Sequence, residues 1–321
     1  MDWIKVTIYT SAEGIEGVTG RLYQLGITGL EIEDEQDFLE FLENNKQYWD
    51  YVDEDLMKQK HTETKVSCYV SNDMNGNELL IAIRDSMKEM KDLDDDNSYG
   101  RLEVEIENTS TEDWANNWKK YFHPMEVGEK ILIKPEWEEL TEPTDRLVFN
   151  INPGMSFGTG SHYTTQLCIE ALEKYIKPGI KMLDLGCGSG ILSILSLMLG
   201  AKEAVAVDID PNAVDTAYEN AQMNNIGREH YKVLSGNVVT DKEIQDIISQ
   251  DKYEVVAANI VADVIIGLAP KAREYMKEGG VFITSGIIEG RQDEVKEALE
   301  ENGFEIVDIR NRKDWYSIIC K

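Results

Sequence analysis

The sequence predicts an α/β protein with two units, a small α+β unit followed by a larger one built on a mostly parallel sheet. Three observations support this prediction. The chain has 321 residues, more than a single hydrophobic core usually organises. Apolar residues alternate over short segments in the first hundred residues. From Tyr163 onward, strand patterns and helix patterns take turns along the chain.

The first unit is predicted to span residues 1–106. Apolar alternation predicts strands, and longer periodic segments predict helices. In chain order the predicted elements are a strand over 3–9, a helix over 11–25, a strand over 29–33, a strand over 65–70, a helix over 77–90 and a strand over 102–106. This βαβ–βαβ order is that of a ferredoxin-like sandwich.

An acidic insertion near residues 35–60 separates the second and third strands and carries aromatic residues such as Phe38 and Trp49. The pattern fits either a partner-binding surface or a solvated helix with one buried stripe. Residues 107–150 are predicted to link the two units. A helix that carries Trp114 and Trp118 is expected there, followed by short strands over 130–134 and 146–150.

The second unit is predicted over residues 151–321 with a seven-stranded sheet. The short link Asn311–Asp314 joins the last two strands and suits a hairpin better than a helical crossover, so the last strand is expected to be antiparallel. This arrangement is that of the common class of S-adenosylmethionine-dependent methyltransferases. The predicted strands cover 182–185, 204–208, 231–234, 254–259, 280–285, 304–310 and 315–320.

Composition excludes several classes of function. The formal net charge of −29 disfavours direct binding to nucleic acid, because phosphate binding needs clustered Lys and Arg. It fits a basic partner, or it serves solubility alone. No apolar run is long enough for a membrane span, and the first residues do not have the pattern of a signal peptide. The four cysteines and four histidines are scattered, which predicts a cytoplasmic protein without a metal site.

A glycine-rich turn follows the first strand of the second unit, in the segment Lys181–Gly190. Gly186 and Gly188 are expected to let the backbone bend sharply and come close to a ligand. The spacing G-x-G-x-G differs from the dinucleotide fingerprint G-x-G-x-x-G, which favours S-adenosylmethionine over a nicotinamide cofactor. Asp184 precedes the turn and is expected either to lie near the cofactor's ammonium group or to order the turn itself.

Two polar residues end later strands at the edge where ligands bind in open α/β sheets. Asp208 closes the second strand, where a carboxylate can accept hydrogen bonds from both ribose hydroxyls. Asn259 closes the fourth strand and is a candidate catalytic residue that orients an acceptor amine toward the methyl group. Asn237, after the third strand, is a candidate adenine contact or an ordinary turn residue. Asp210 is expected to cap the next helix.

A second glycine-rich segment, Phe157–Thr165, opens a helix predicted to run to Tyr175. Its backbone amides and hydroxyls can close over the carboxylate of the cofactor, since a helix N-terminus favours an anion. His162 lies in this loop. A lone histidine in a capping loop is more often structural than catalytic, so no catalytic role is assigned to it.

With these motifs the chain resembles the family of ribosomal protein L-eleven methyltransferases over its full length. The Phe-Gly-Thr-Gly-x-His loop together with Ala-Asn-Ile is much more specific than the glycine turn alone. The matching segments are Asp113–Pro124, Pro153–Thr165, Leu183–Gly190, Asp208–Pro211, Ala258–Ile260, Ser285–Ile287 and Asp314–Cys320.

The resemblance implies a cytoplasmic bacterial enzyme with a Rossmann-like class I methyltransferase domain. It implies that the enzyme methylates lysine side chains and the N-terminal amine of that ribosomal protein, and that the first unit recognises this substrate. Carried over by motif, the contacts to S-adenosylmethionine fall on Thr165, Gly186, Asp208 and Asn259. The acidic insertion departs from the compact first domain of the family. Residues 240–251 also look long and are expected to form an extended surface loop.

The sequence also permits other functions. A methyltransferase of the same fold can act on another protein, a nucleic acid or a small-molecule amine, although the Asn/Asp-Pro-Pro-Tyr motif of nucleic-acid amino methyltransferases is missing after Asn259. A nicotinamide oxidoreductase and a non-catalytic binding module are the further alternatives. The sequence leaves open the modified lysines, the number of methyl groups and the oligomeric state.

Overall fold

The computed structural model describes residues 3–27, 29–34, 63–94, 96–106, 123–152 and 158–321. The chain divides into two compact units, Met1–Tyr121 and Phe122–Lys321. The acidic insertion near 35–60 and the linker helix expected after residue 107 lie outside the described residues. The boundaries expected at residues 106 and 150, and the roles given to each domain, stay predictions.

The described residues of the first unit form a four-stranded antiparallel sheet with two helices, and they confirm the predicted βαβ–βαβ order. The strand order of this sheet is β2-β3-β1-β4. The second helix begins earlier than predicted because Asp73 caps it and accepts a hydrogen bond from the amide of Gly76 at 3.0 Å. The elements are β1 (Trp3–Tyr9), α1 (Ile15–Gln24), β2 (Leu30–Glu33), β3 (Lys65–Ser71), α2 (Met74–Asp92) and β4 (Val104–Ile106).

The core of the first unit forms where the helices cover one face of the sheet. Val6 and Ile8 of β1 point into this core with Leu22 of α1 and Met87 of α2. All four side chains are buried. Burial of an aliphatic side chain contributes about 1.5–3 kcal/mol each, so the alternation seen in the sequence corresponds to the main stabilising contact of this unit.

A three-stranded sheet opens the second unit. The two predicted strands form β6 (Ile131–Pro135) and β7 (Leu147–Ile151), which pair in parallel. A third strand, β5 (Met125–Val127), pairs with β6 in the antiparallel direction and was not predicted. A strand of three residues is too short for its apolar alternation to be recognised in the sequence.

The seven-stranded sheet confirms the predicted architecture. The remaining elements are α3 (Tyr163–Tyr175), β8 (Lys181–Leu185), α4 (Ile191–Met198), β9 (Glu203–Asp208), α5 (Pro211–Met223), β10 (Tyr231–Ser235), α6 (Lys242–Ile248), β11 (Tyr253–Asn259), α7 (Ala262–Tyr275), β12 (Met276–Ile288), α8 (Gln292–Glu301), β13 (Ile306–Arg312) and β14 (Trp315–Cys320). The strand order of the sheet is β10-β9-β8-β11-β12-β14-β13.

The last two strands form the predicted hairpin. β14 pairs antiparallel with both β12 and β13, whereas β8, β9, β10, β11 and β12 run parallel. The parallel strands end at one edge of the sheet, where Asn259 is paired in register with Ser285 and Asp208 with Ser235. This edge therefore gathers the polar residues that end each strand.

The prediction of a surface loop over residues 240–251 is wrong, because residues Lys242–Ile248 form the helix α6. Asp241 caps this helix and accepts hydrogen bonds from the amides of Glu243 at 2.9 Å and Ile244 at 3.4 Å. Ile244 and Ile248 are buried in the core of the sheet. Three isoleucines in a polar heptapeptide are a weak pattern, and only packing against the sheet makes the helix stable.

The described residues contain neither a disulfide bond nor a cluster of metal ligands. The four cysteines are free and buried. Within the described ranges, no group of His, Cys, Asp and Glu side chains is arranged to hold a metal ion. The described helices also include none that is both long and apolar enough to cross a membrane.

The cap of α6 gives the first prediction. Asp241→Ala removes the acceptor of two helix N–H groups and should destabilise α6 by about 0.5–2 kcal/mol. Hydrogen exchange measured by mass spectrometry on the peptide that covers 240–251 should accelerate by about fivefold. Asp241→Asn keeps a capping oxygen and should exchange like the wild type. Asp246→Ala, an exposed position on the same helix, is the matched control. Equal exchange in Asp241→Ala and Asp241→Asn would contradict the capping role.

Candidate functional site

The glycine-rich turn after β8 needs glycine for two reasons. Gly186, Gly188 and Gly190 have φ angles of 77°, 50° and 78°, in the left-handed region that side chains disfavour. Space is also lacking. A Cβ atom on Gly186 would lie 2.3 Å from Cγ2 of Ile260, and one on Gly190 would lie 2.6 Å from the hydroxyl of Tyr231. The turn therefore packs against Ile260, which follows β11, on one side and against the hydroxyl of Tyr231, the first residue of β10, on the other.

Asp184 connects β8 to the helix that follows the glycine-rich turn. Its side chain is fully buried, and Oδ2 accepts a hydrogen bond from the amide of Ser193 in α4 at 3.0 Å. The other oxygen, Oδ1, has no hydrogen-bond partner among the described residues. Burial raises the pKa of this carboxyl to about 7. Of the two roles that the sequence left open, the hydrogen bond to Ser193 supports the ordering of the turn.

Asp208 joins the end of β9 to the same turn. Its Oδ2 accepts a hydrogen bond from the amide of Gly188 at 2.7 Å, and its Oδ1 accepts one from the amide of Asp210 at 2.9 Å. Burial raises the pKa of the Asp208 carboxyl. Each carboxylate oxygen has a second lone pair, so both can still accept a hydroxyl of a ligand. The ribose contact stays a prediction.

Asn259 and Thr165 form a direct pair. Nδ2 of Asn259 donates a hydrogen bond to Oγ1 of Thr165 at 3.2 Å. Thr165 lies in the first turn of α3 and its side chain is fully buried. The amide oxygen of Asn259, Oδ1, is buried and finds no hydrogen-bond partner in the part of the chain that the structure describes. Such an unsatisfied oxygen costs about 1–3 kcal/mol, so a donor that reached it would be bound favourably.

The second glycine-rich loop packs on the first. Oγ of Ser189, inside the glycine turn, donates to the carbonyl of Gly158 at 2.6 Å. Gly160 has a φ of 90°, and a Cβ atom there would lie 2.3 Å from Cδ1 of Ile133. Phe157 lies outside the described residues. The two glycine segments are therefore parts of one site.

His162 has a structural role in this loop. Its ring caps α3 by accepting a hydrogen bond from the amide of Thr164 at 3.4 Å, and its Nδ1 lies 2.8 Å from the hydroxyl of Thr164. The ring packs edge-on against Trp315 with centroids 4.8 Å apart. Burial lowers the pKa of His162 to about 4, so the ring is neutral at pH 7. These contacts support the structural interpretation of His162.

Two further turn residues behave as simple capping groups. Asp210 caps α5 and accepts from the amide of Asn212 at 3.1 Å, as predicted. Oδ1 of Asn237 accepts from the amides of Val239 at 2.9 Å and Thr240 at 3.2 Å. The structure thus supports the turn interpretation of Asn237. The adenine contact is not tested by these hydrogen bonds.

Ser285, at the edge of the sheet, was missed as a site residue. It is fully buried and pairs in register with Asn259. Its hydroxyl lies 3.2 Å from the carbonyl oxygen of Thr164 and 3.3 Å from that of Tyr316, and it donates to them. The following residue, Gly286, has a φ of 86° and would place a Cβ atom 2.4 Å from the carbonyl oxygen of Ile260. In the sequence, the pair Ser285-Gly286 at the predicted end of a strand was the signal that could have identified this residue.

The structure brings the predicted residues to one edge of the sheet in two connected groups. The first group is the turn with Gly186 and Gly188, held by Asp208. The second is the pair of Asn259 and Thr165. The two groups meet because Ile260, the neighbour of Asn259, contacts Gly186. The arrangement offers one carboxylate and one amide oxygen to a ligand at this edge, whereas the amides of Gly186, Gly188 and Gly190 already donate to acceptors within the protein.

Comparison with known proteins points to one family. The family model described as "Ribosomal protein L11 methyltransferase (PrmA)" matches residues 2–321. The ribosomal protein L11 methyltransferase of Clostridium perfringens strain 13 is 39% identical over 319 residues, which cover 99% of this chain and 98% of that protein. The one from Clostridium botulinum strain Eklund 17B is 38% identical with the same coverage.

A solved structure shows the same relationship. The crystal structure of a ribosomal protein L11 methylase from Lactobacillus delbrueckii subsp. bulgaricus superposes with a TM-score of 0.56 at 29% sequence identity. The match covers 62% of this chain and 98% of that chain.

The buried Asp184 gives a prediction on pH. Its carboxyl keeps a proton in the folded chain up to about pH 7, whereas the ordinary value of 3.8 applies after unfolding. The folded state therefore binds more protons between these values, and the stability of the wild type decreases as pH rises through this window. Asp184→Asn removes this dependence. The melting temperature of Asp184→Asn should rise relative to that of the wild type as pH increases from 5 to 7, because the free energy of unfolding of the wild type falls there by an amount on the order of a few kcal/mol.

The control for this prediction is the exposed Asp246, since Asp246→Asn should follow the wild type at every pH. Thermal unfolding in a pH series measures both variants. A melting-temperature difference between Asp184→Asn and the wild type that does not change with pH would show that the Asp184 carboxyl titrates as it does in water.

Proposed function

The chain belongs to the ribosomal protein L11 methyltransferase family, and from this premise we propose that it transfers methyl groups from S-adenosylmethionine to amines of ribosomal protein L11. The amines are lysine side chains and the N-terminal amine. The observation that carries the proposal is the buried amide oxygen of Asn259, which has no hydrogen-bond donor among the described residues and lies beside a glycine turn that suits a nucleoside ligand.

The fold is that of an S-adenosylmethionine-dependent methyltransferase. The order β10-β9-β8-β11-β12-β14-β13, with β14 antiparallel to its neighbours, is the class I methyltransferase sheet. The structural relative from Lactobacillus delbrueckii has a similar fold over nearly its whole length. In such sheets the ligand lies beyond the carboxyl ends of the strands, and this is the edge that carries Asp208 and Asn259.

The residues at this edge fit S-adenosylmethionine. The left-handed turn at Gly186 and Gly188 exposes backbone where a side chain would block a ligand. Asp208 offers carboxylate oxygens to the ribose, and Asn259 offers its orphaned amide oxygen. We assign the cofactor contacts to Gly186, Gly188, Asp208, Asn259 and Thr165. When bound, the cofactor supplies a methyl group on a positively charged sulfur, which an amine lone pair can attack.

The acceptor amine has to lose a proton before it can attack. A lysine ammonium has a pKa of about 10.4, so the neutral amine is the minor form at pH 7. Oδ1 of Asn259 can accept an N–H of the neutral amine and direct its lone pair away from the amide. His162 is already engaged in the cap of α3, so it is not proposed as the base. Positioning of this kind can supply much of the rate enhancement.

The substrate is proposed to be a basic protein. A net charge of −29 attracts basic partners over a distance and repels nucleic acid. The first unit is proposed to recognise the substrate, and the second unit to carry out the transfer. A ribosomal protein substrate implies a cytoplasmic location.

The function is tested by intact-mass analysis. Purified protein is incubated with S-adenosylmethionine and with ribosomal protein L11, and separately with the other proteins of the large subunit. We expect mass increments of whole methyl groups on L11 alone, with peptide mapping to lysines and to the N-terminus. Unmodified L11 together with modification of another protein, a nucleic acid or a small amine would overturn the proposed substrate.

The ribose contact gives a separate prediction. Asp208→Ala removes the carboxylate and releases the amide of Gly188, so the affinity for S-adenosylmethionine should fall by at least about a hundredfold. Isothermal titration calorimetry measures this change. Asp210→Ala is the control, because it removes a nearby carboxylate that caps α5, and it should bind the cofactor within about threefold of the wild type. Retained affinity in Asp208→Ala would remove Asp208 from the cofactor site.

A further inference from the structure

Two buried asparagines at the end of α5 hold backbone that lies outside the helix. Asn220 is fully buried, and Asn224, one turn further along, is nearly so. Nδ2 of Asn220 donates to the carbonyl of Ser189 at 2.9 Å, and its Oδ1 accepts from the amide of Asn152 at 3.0 Å. Asn224 instead contacts both the amide and the carbonyl of Asn150, at 2.8 Å and 2.6 Å. Asn220 therefore links two segments of the chain, one of which is the glycine turn.

The side-chain amide of Asn220 has one orientation in these contacts. A backbone N–H can only donate and a backbone carbonyl can only accept, so Nδ2 faces Ser189 and Oδ1 faces Asn152. Both backbone groups would lose this partner if the side chain were apolar, and a buried polar group without a partner is costly. An ionised carboxylate could accept from Asn152 but could not donate to Ser189. Asparagine fits this position because it does both.

Ser189 extends the contact of Asn220 to both glycine-rich segments. Its carbonyl accepts from Asn220, and its hydroxyl donates to the carbonyl of Gly158 at 2.6 Å. Asn152 and Gly158 are the described residues on either side of 153–157, so Asn220 and Ser189 each bind backbone next to this stretch. The start of the second glycine-rich segment is therefore attached to the glycine turn.

We propose that Asn220 is a positioning residue for the cofactor, acting through the carbonyl of Ser189. This inference rests on the proposed function and adds a residue that no motif indicated. Asp208, the proposed ribose contact, holds the amide of Gly188 at 2.7 Å, and Asn220 holds the next residue of the turn. A turn that is already fixed loses less conformational freedom when a ligand binds. Asn220 therefore strengthens the binding of S-adenosylmethionine and leaves the chemical step itself unchanged.

The test compares Asn220→Ala with Asn224→Ala. Both changes remove a buried amide that contacts backbone at the same end of α5, but only the first releases the carbonyl of Ser189. Isothermal titration calorimetry measures the affinity for S-adenosylhomocysteine. We expect Asn220→Ala to bind it about tenfold to a hundredfold more weakly than the wild type, and Asn224→Ala to bind it within about threefold. Equal losses in the two variants would overturn the role of Asn220.

Steady-state kinetics on L11 separates cofactor binding from the chemical step. In Asn220→Ala the KM for S-adenosylmethionine should rise by about tenfold or more, whereas kcat at saturating cofactor should stay within about threefold of the wild type. A loss of folded protein would lower kcat and leave KM unchanged, and that result would contradict the proposal. Asn220→Ser, with Asn224→Ser as its control, is measured in the same way if the alanine variant does not melt cooperatively.

Hydrogen exchange measures the turn in the protein without cofactor. The peptide that covers residues 184–192 includes the amides of Gly188 and Gly190, which donate to acceptors within the protein. Its exchange should be about tenfold faster in Asn220→Ala than in the wild type or in Asn224→Ala. Unchanged exchange would show that Asn220 does not hold the turn and would overturn the proposal.

The wild type distinguishes this proposal from the proposed function. If it binds S-adenosylhomocysteine but does not methylate L11, only the substrate assignment fails, and calorimetry on the variants still decides the role of Asn220. If it methylates L11 and Asn220→Ala binds the cofactor as tightly as the wild type, the proposed function stands and the role of Asn220 is wrong. A wild type that binds neither S-adenosylmethionine nor S-adenosylhomocysteine would overturn both.

Discussion

The hydrogen bond from the amide of Gly188 to the carboxylate of Asp208 is the contact on which the site depends. It ties the turn after β8 to the end of β9, so that two strand ends act as one rigid edge. The turn can make this bond only because its glycines adopt left-handed φ angles. Asn259 reaches the same edge because β11 pairs in parallel with β8 and β12. The next residue, Ile260, occupies the space that a side chain at Gly186 would need.

Buried polar side chains connect the rest of the edge. The hydroxyls of Ser189 and Ser285 bond to backbone carbonyls of the preceding loop and of α3, and the hydroxyl of Thr165 meets Asn259. Buried hydrogen bonds are geometrically strict, because a missed partner costs about 1–3 kcal/mol. One oxygen of Asp184 and one of Asn259 stand out against this pattern, because neither has a hydrogen-bond partner among the residues that the structure describes. The first belongs to a carboxyl whose pKa burial raises, and the second lies where the acceptor is proposed to bind.

Much of the fold could be predicted from local patterns. Alternation in β1 and apolar runs in the parallel strands of the large sheet were strong enough to find each strand to within a few residues, because burial of one face imposes a period of two and burial of both faces imposes a continuous apolar segment. The same reasoning failed for β5 and α6. Both are short, with three and seven residues, and their stability comes from packing that local patterns do not express. Asp241 was the available signal for α6, since aspartate is a favoured residue at a helix N-cap.

The sequence by itself determined the glycine turn, the polar residue at each strand end and hence the class of cofactor, because backbone freedom and strand periodicity are local properties. It also contained Thr165 and Ser285, but not the hydrogen bonds that they make. Only the tertiary structure decided that the hydroxyl of Thr165 meets the amide of Asn259, since that contact joins positions 94 residues apart. Hydrogen-bond partners across such a distance depend on how α3 packs against the sheet, and no spacing in the chain encodes it.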